Sequence, residues 1–250
     1  MSWPRTLEGP KNGTSHMPNE EERATGQPAC RVLRSLRTYY GKPRPRPRND
    51  PLAELVQTIL SQNTSDVNTD RAFACLMSTF GSWEAVLAAP ISRIADAIRT
   101  GGLARVKAPR IKKVLQTIWQ QRGELSLDFL NALDTEEARR YLTELDGVGP
   151  KTAACVLLFA CGKPAIPVDT HVHRVSRRLG LIGPRTSAAQ AHRELEAAFQ
   201  PSDLYDAHML LVRHGREICK ALRPRCPSCP LSDFCPRVGV DRTDPSVRLD

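Results

Sequence analysis

Between Asp50 and Arg213 the apolar residues recur at intervals of three and four, and no stretch alternates apolar with polar as a half-buried strand would. Leu52, Leu55, Val56, Ile59 and Leu60 form one face of a helix, with Asp50 as its cap and Pro51 as its first residue. Asp66 is expected to cap the next helix, which ends near Phe80-Gly81. Ser82 starts "WEAVLAA" and Pro90 starts "ISRIADAIR", and Gly101-Gly102 then breaks the pattern. A helix is expected from Lys107 to Gln121, with Ile111, Val114, Leu115 and Ile118 on one face. Others are expected over residues 135–145, 150–160, 170–179, 187–199 and 202–213. The predicted fold class is all-α with short connections.

Outside this span the chain reads differently. Residues 1–28 are polar, turn-rich and without period, and are expected to be a disordered tail, and residues 241–250 a C-terminal tail. From Cys30 to Arg48 there are seven basic residues and no acidic one, and the alternating prolines of "KPRPRPRND" predict an extended segment. That segment fits a phosphate backbone or a stiff charged linker. The formal net charge of +9 suggests a polyanionic partner, most often nucleic acid, or else simply solvated lysines. No stretch approaches the ~18–20 consecutive apolar residues of a membrane span. The first residues lack an apolar core and carry acidic side chains, so neither a secretory signal nor a transit peptide is expected there.

Three constellations can carry chemistry. In "ELDGVGPKTAACV" two helices flank a turn in which Gly147 and Gly149 can take positive φ or admit another backbone closely. The second helix starts at Pro150, and the positive end of such a helix binds phosphate without reading bases. Lys151 stands one step inside it. In "AIPVDTHVHRVSRRLGL", Asp169 lies eighteen residues after Lys151 at the start of a further helix, where a carboxylate caps and stays ionised at pH 7. His171 and His173 lack a matching cysteine or carboxylate cluster and are expected to be packing or surface residues. In "CKALRPRCPSCPLSDFC" four cysteines, Cys219, Cys226, Cys229 and Cys235, crowd into seventeen residues, and without an export signal this favours metal over disulfides. Four thiolates can hold a [4Fe–4S] cluster or a tetrahedral zinc.

The pattern L-x-G-V-G-x-K-T-A, with "VDTHVHRV" downstream and the cysteine spacing beyond it, resembles the endonuclease III family of helix-hairpin-helix, Gly-Pro-Asp DNA glycosylases. The resemblance runs from about Arg31 to Arg237. It implies two all-α domains with the active site in the cleft between them: a six-helix domain over 44–163 that holds the hairpin, and a cluster domain of 29–43 plus 164–240. It implies a bifunctional DNA glycosylase and AP lyase that excises oxidised pyrimidines from duplex DNA and nicks the abasic site by β-elimination. Lys151 would be the nucleophile and Asp169 its acidic partner. Gly147, Gly149 and Thr152 would hold the DNA backbone. Leu103, in "TGGLARVKAPRI", matches the family's wedge leucine. The four cysteines would ligate a structural [4Fe–4S] cluster, with Lys220, Arg223 and Arg225 in a basic loop on DNA.

The lesion pocket departs from the family. Where members often read L-S-A-Q-A-T-D, this chain reads "LSQNTSD", so Asp66 matches the acid, Asn63 stands at the pocket glutamine, and Gln62 sits one place early. Pro150 replaces the basic residue often seen before the lysine. A glycosylase of the same fold for another lesion, such as mispaired uracil or thymine, and a non-catalytic DNA-binding protein are the other readings. Related monofunctional glycosylases lack the lysine. The expected partner is double-stranded DNA with a damaged base or abasic site, met by a monomer with no membrane, in a bacterial cytoplasm at the nucleoid or in a nucleus.

Overall fold

The computed structural model describes residues 28–45, 48 and 50–240, and among them the regular structure is helical throughout. The expected tails lie outside the described residues, except Pro28, which already belongs to a helix. The chain divides into two compact units, one containing the described residues 48 and 50–163, the other 28–45 and 164–240. Residue 44, expected to open the first domain, groups with the second unit, where its carbonyl accepts from the Tyr205 hydroxyl at 2.9 Å.

In the first unit the chain forms α2 (Pro51–Leu60), α3 (Asp66–Phe80), α4 (Trp83–Ala88), α5 (Ile91–Ala97), α6 (Ala104–Arg122), α7 (Thr135–Glu144) and α8 (Pro150–Cys155). All seven were expected from the apolar period, one more than the six-helix domain that the family resemblance implied. Asp50 caps α2 as expected, accepting from the Ala53 N–H at 2.8 Å, and all five apolar residues of its predicted face are sealed from solvent. The cap of α3 is Ser65 rather than Asp66: the Ser65 hydroxyl accepts from Asn68, and Asp66 occupies the first turn. Helix α6 begins at Ala104, three residues before the expected start. Leu103 turns left-handed immediately upstream, and Pro109 sits inside the helix. Beyond α8 the apolar run Val156–Ala160 widens into a π turn, with Cys161 N–H bonding to the Val156 carbonyl at 3.1 Å. Helix α2 packs on both α8 and this turn, and α5 packs on α6.

The second unit joins α1 (Pro28–Tyr40) to α9 (Thr170–Arg178), α10 (Ala188–Ala198) and α11 (Leu204–Glu217). Its core includes Val32, Leu33 and Leu36 of α1, Val172 and Val175 of α9, and Leu210 and Leu211 of α11. Arg37 pins α1 to α11 by donating to Asp203 at 2.7 Å and Asp206 at 2.8 Å. No helix among the described residues is long and apolar enough to cross a membrane.

Candidate active site

In the first unit the site is built around the turn between α7 and α8. Gly147 has φ +79°, and a Cβ there would stand 2.7 Å from Nε and 2.8 Å from Cδ of Arg110. Glycine is therefore required both for the left-handed backbone and for the passage of the Arg110 stem. Gly149 differs from the expectation: it caps α8 in an extended conformation, φ −87° and ψ 176°, and an added Cβ would meet nothing in the chain. The first helical bond of α8 runs from the Ala153 N–H to the Gly149 carbonyl at 3.0 Å, so the N–H groups ahead of Ala153 lie at the positive end of the helix. Lys151, at the second position of α8, is half-buried. Thr152, the next residue, is only 4% exposed. Asp146, preceding Gly147, pairs with Lys113, whose ammonium holds the carboxyl below the usual carboxylate range.

Two further expected segments meet α6. Leu103 has φ 49° and ψ 33° and is 52% exposed, so it projects from the loop instead of packing in the core. Lys107 is 1% exposed and donates to the Leu60 carbonyl at 2.6 Å and the Gly101 carbonyl at 2.7 Å. Burial pushes its amine below the ordinary lysine range. One turn further, Arg110 donates to the Gln62 side-chain oxygen at 2.7 Å. Asn63 is exposed with φ 54°, and Asp66 is half-buried. The structure thus brings Gln62 to the hairpin turn through Arg110, which the sequence reading did not single out, as it did not single out Lys107.

In the second unit Asp169 caps α9, accepting from the N–H groups of His171 at 2.9 Å and Val172 at 2.7 Å. His171 and His173 take packing roles: His171 Nδ1 lies 3.1 Å from an Arg174 nitrogen, and His173 Nε2 lies 2.8 Å from the Thr186 carbonyl. The same helix ends at Arg178, which is buried and donates to the carbonyls of Lys220 at 2.6 Å and Ala221 at 3.0 Å and to Cys219 Sγ at 3.4 Å. Its own carbonyl accepts from Cys235 Sγ at 3.4 Å. Cys219, Cys226, Cys229 and Cys235 all line one cavity, together with Arg178, His214 and Val175. Among the described residues no three His, Cys, Asp or Glu side chains gather as ligands of a single ion would. Burial pushes the Cys229 thiol up to about 11 and raises Cys226 and Cys235 as well. His214 Nε2 lies 3.5 Å from Cys229 Sγ, and the Tyr40 hydroxyl lies 3.1 Å from His214 Nδ1. Lys220, Arg223 and Arg225 are exposed on the loop between the first two cysteines, Arg223 with φ 52°.

A hairpin of this kind, with an aspartate-capped helix and a cysteine cavity downstream, defines a helix-hairpin-helix DNA repair protein. The family described as "HhH-GPD superfamily base excision DNA repair protein" matches residues 56–201, more than half of the chain, and the chain belongs to it. Within that superfamily it falls in the endonuclease III family: endonuclease III of Sulfolobus acidocaldarius is 37% identical over 185 residues, 73% of this chain and 80% of that one. A protein of Arabidopsis thaliana that carries a provisional DNA glycosylase name is 39% identical over 189 residues. That match takes in 74% of this chain and 64% of the plant protein, so the chain spans just under two thirds of that relative. Among solved structures, a trapped covalent endonuclease III–DNA intermediate superposes with a TM-score of 0.70 at 28% identity, covering 88% of this chain and 96% of that one.

Proposed function

We propose that the chain is a DNA glycosylase and AP lyase of endonuclease III type that excises oxidised pyrimidines from duplex DNA and nicks the abasic strand. The observation that carries this reading is Lys151, half-buried at the second position of the helix that the Gly147–Gly149 turn launches. The target nucleotide must leave the stack, at a cost of a few kcal/mol. Leu103, held outward, fills the hole it leaves. The neutral amine of Lys151 attacks C1′, and the base departs with the electron pair of the glycosidic bond and gains a proton. The ring opens to a Schiff base, a proton leaves C2′, and the 3′ phosphate departs by β-elimination. In this reading Asp169 accepts or relays the proton of the attacking amine and stabilises the positive charge that builds at the sugar. The α8 start and its turn bind phosphate without reading sequence, and Lys220, Arg223 and Arg225 add backbone contacts that weaken with salt.

Cys219, Cys226, Cys229 and Cys235 are the residues that would hold a [4Fe–4S] cluster, whose part is structural. The four share one cavity, which supports a common metal centre, and their spacing is that of the family's iron–sulfur loop. A cluster gives each thiolate its own iron. Binding requires the raised thiols to release their protons.

The lesion pocket in this reading holds Gln62, Asn63 and Asp66. Gln62 is committed to Arg110, so the exposed Asn63 is the amide left to meet the base edge. The enzyme acts as a monomer on double-stranded DNA, in a bacterial cytoplasm or a nucleus. A panel of single-lesion duplexes, scored with and without alkali, tests the reading. Release of oxidised pyrimidines, with nicks that need no alkali, is expected. Selective release of mispaired uracil or thymine would replace the lesion assignment, and salt-dependent binding with no cutting of any duplex would replace the enzyme by a binding protein.

A further inference from the structure

We propose that Lys107 is a positioning residue for base flipping: its ammonium holds the Leu103 wedge rigid against the end of α2. This rests on the glycosylase reading above and deepens it. The ammonium donates to the carbonyl of Leu60, the last residue of α2, at 2.6 Å and to that of Gly101 at 2.7 Å. Both are C-terminal carbonyls of helical segments, where partial negative charge gathers. The Lys107 backbone N–H donates to the Leu103 carbonyl at 3.0 Å. That last bond is the first backbone bond of α6, so the ammonium's own part is to tie Gly101, two residues before Leu103, to the end of α2. Gly101 also packs closely on α3, where a Cβ on it would stand 3.0 Å from Cβ of Ala72, and that Cβ would lie 4.0 Å from the Leu60 carbonyl oxygen.

The arrangement is expensive. Sealing an ammonium from water costs free energy that a methionine or leucine at the same place would not. Leu103 is in the left-handed region, which a non-glycine residue keeps only when its surroundings over-determine it. Lys107 supplies that determination. A free loop would let the exposed leucine fold back onto the protein. A clamped one keeps it outward, ready to enter the stack, and sets its distance from the Gln62–Asn63 segment that leaves α2 two residues after Leu60.

The test compares the Lys107→Met variant with wild type in single-turnover excision of one oxidised pyrimidine, placed either in a paired duplex or in an unpaired bulge. The variant should lose about tenfold or more on the paired lesion and stay within about twofold on the unpaired one and in borohydride trapping on a ready-made abasic site. Combined with Leu103→Ala it should add nothing to the loss of Leu103→Ala alone, and Lys107→Arg should restore part of the activity. Equal losses on paired and unpaired substrates, an additive double variant, or no loss at all would overturn the proposal. Should the methionine variant not fold, Lys107→Gln, one bond shorter but still a donor, is read by the same comparisons. A fluorescent base analogue beside the abasic site reports wedge insertion even if no lesion is cut, so a failure of the glycosylase reading is seen separately. Unchanged fluorescence in the variant would count against Lys107.

Discussion

At Gly147 the backbone and the packing make the same demand. With φ +79° and the Arg110 stem under 3 Å from where a Cβ would go, alanine there must bear a left-handed conformation and displace Arg110 from Gln62. Gly147→Ala is expected to cost about 1–3 kcal/mol in urea unfolding. Gly149→Ala, extended and facing open space, should stay within about 0.5 kcal/mol of wild type. The reverse order would contradict the turn as described. The sequence marked both glycines as a turn, yet which one is left-handed depends on how α7 and α8 meet. Lys107 and Arg110 were less visible still, because Leu60 and Gln62, which they bind, lie 47 and 48 positions away. The one local signal was a lysine on the apolar stripe of Ile111, Val114 and Ile118.

At the level of elements, α9 carries a separable pair of roles at its start. Asp169 caps the helix with two N–H bonds, and the proposed chemistry needs its charge as well. Asparagine caps as well as aspartate, so Asp169→Asn should keep its stability within a few tenths of a kcal/mol while excision falls about 100-fold or more. Asp169→Ala should lose about 1 kcal/mol of stability in addition. Equal activity in the Asn variant and wild type, measured under single turnover, would leave Asp169 as a cap alone. Most helices were legible from caps and period: Asp50, Ser82 and Ser187 each receive the bond expected of a helix start. The departures have local causes. Ser65 competes with Asp66 for the same cap, and α6 starts at Ala104 with no side-chain cap bond to mark it. The π turn after α8 was hidden because every residue of Val156–Ala160 is apolar and buried, so no period shows.

At the scale of the molecule, each unit carries one part of the proposed chemistry: Lys151 belongs to the first and Asp169 to the second. The second also contains the cysteine cavity, tied to α9 through Arg178 and to α1 through Tyr40 and His214. Protein purified without oxygen should be yellow-brown and hold about four irons per chain, and stripping the iron should lower the unfolding temperature. Colourless protein with one zinc per chain would refute the cluster. The spacing of the cysteines was readable in the sequence, whereas their common cavity, and the buried arginine that reaches it from α9, required the fold.

The central claim is that Lys151 forms the covalent bond to DNA. Incubation with an abasic-site duplex under borohydride, followed by proteolysis and mass spectrometry, tests it most directly. The expected result is a reduced sugar adduct on the peptide containing Lys151, absent from the Lys151→Ala variant. An adduct on another residue, or one of undiminished yield in that variant, would contradict it.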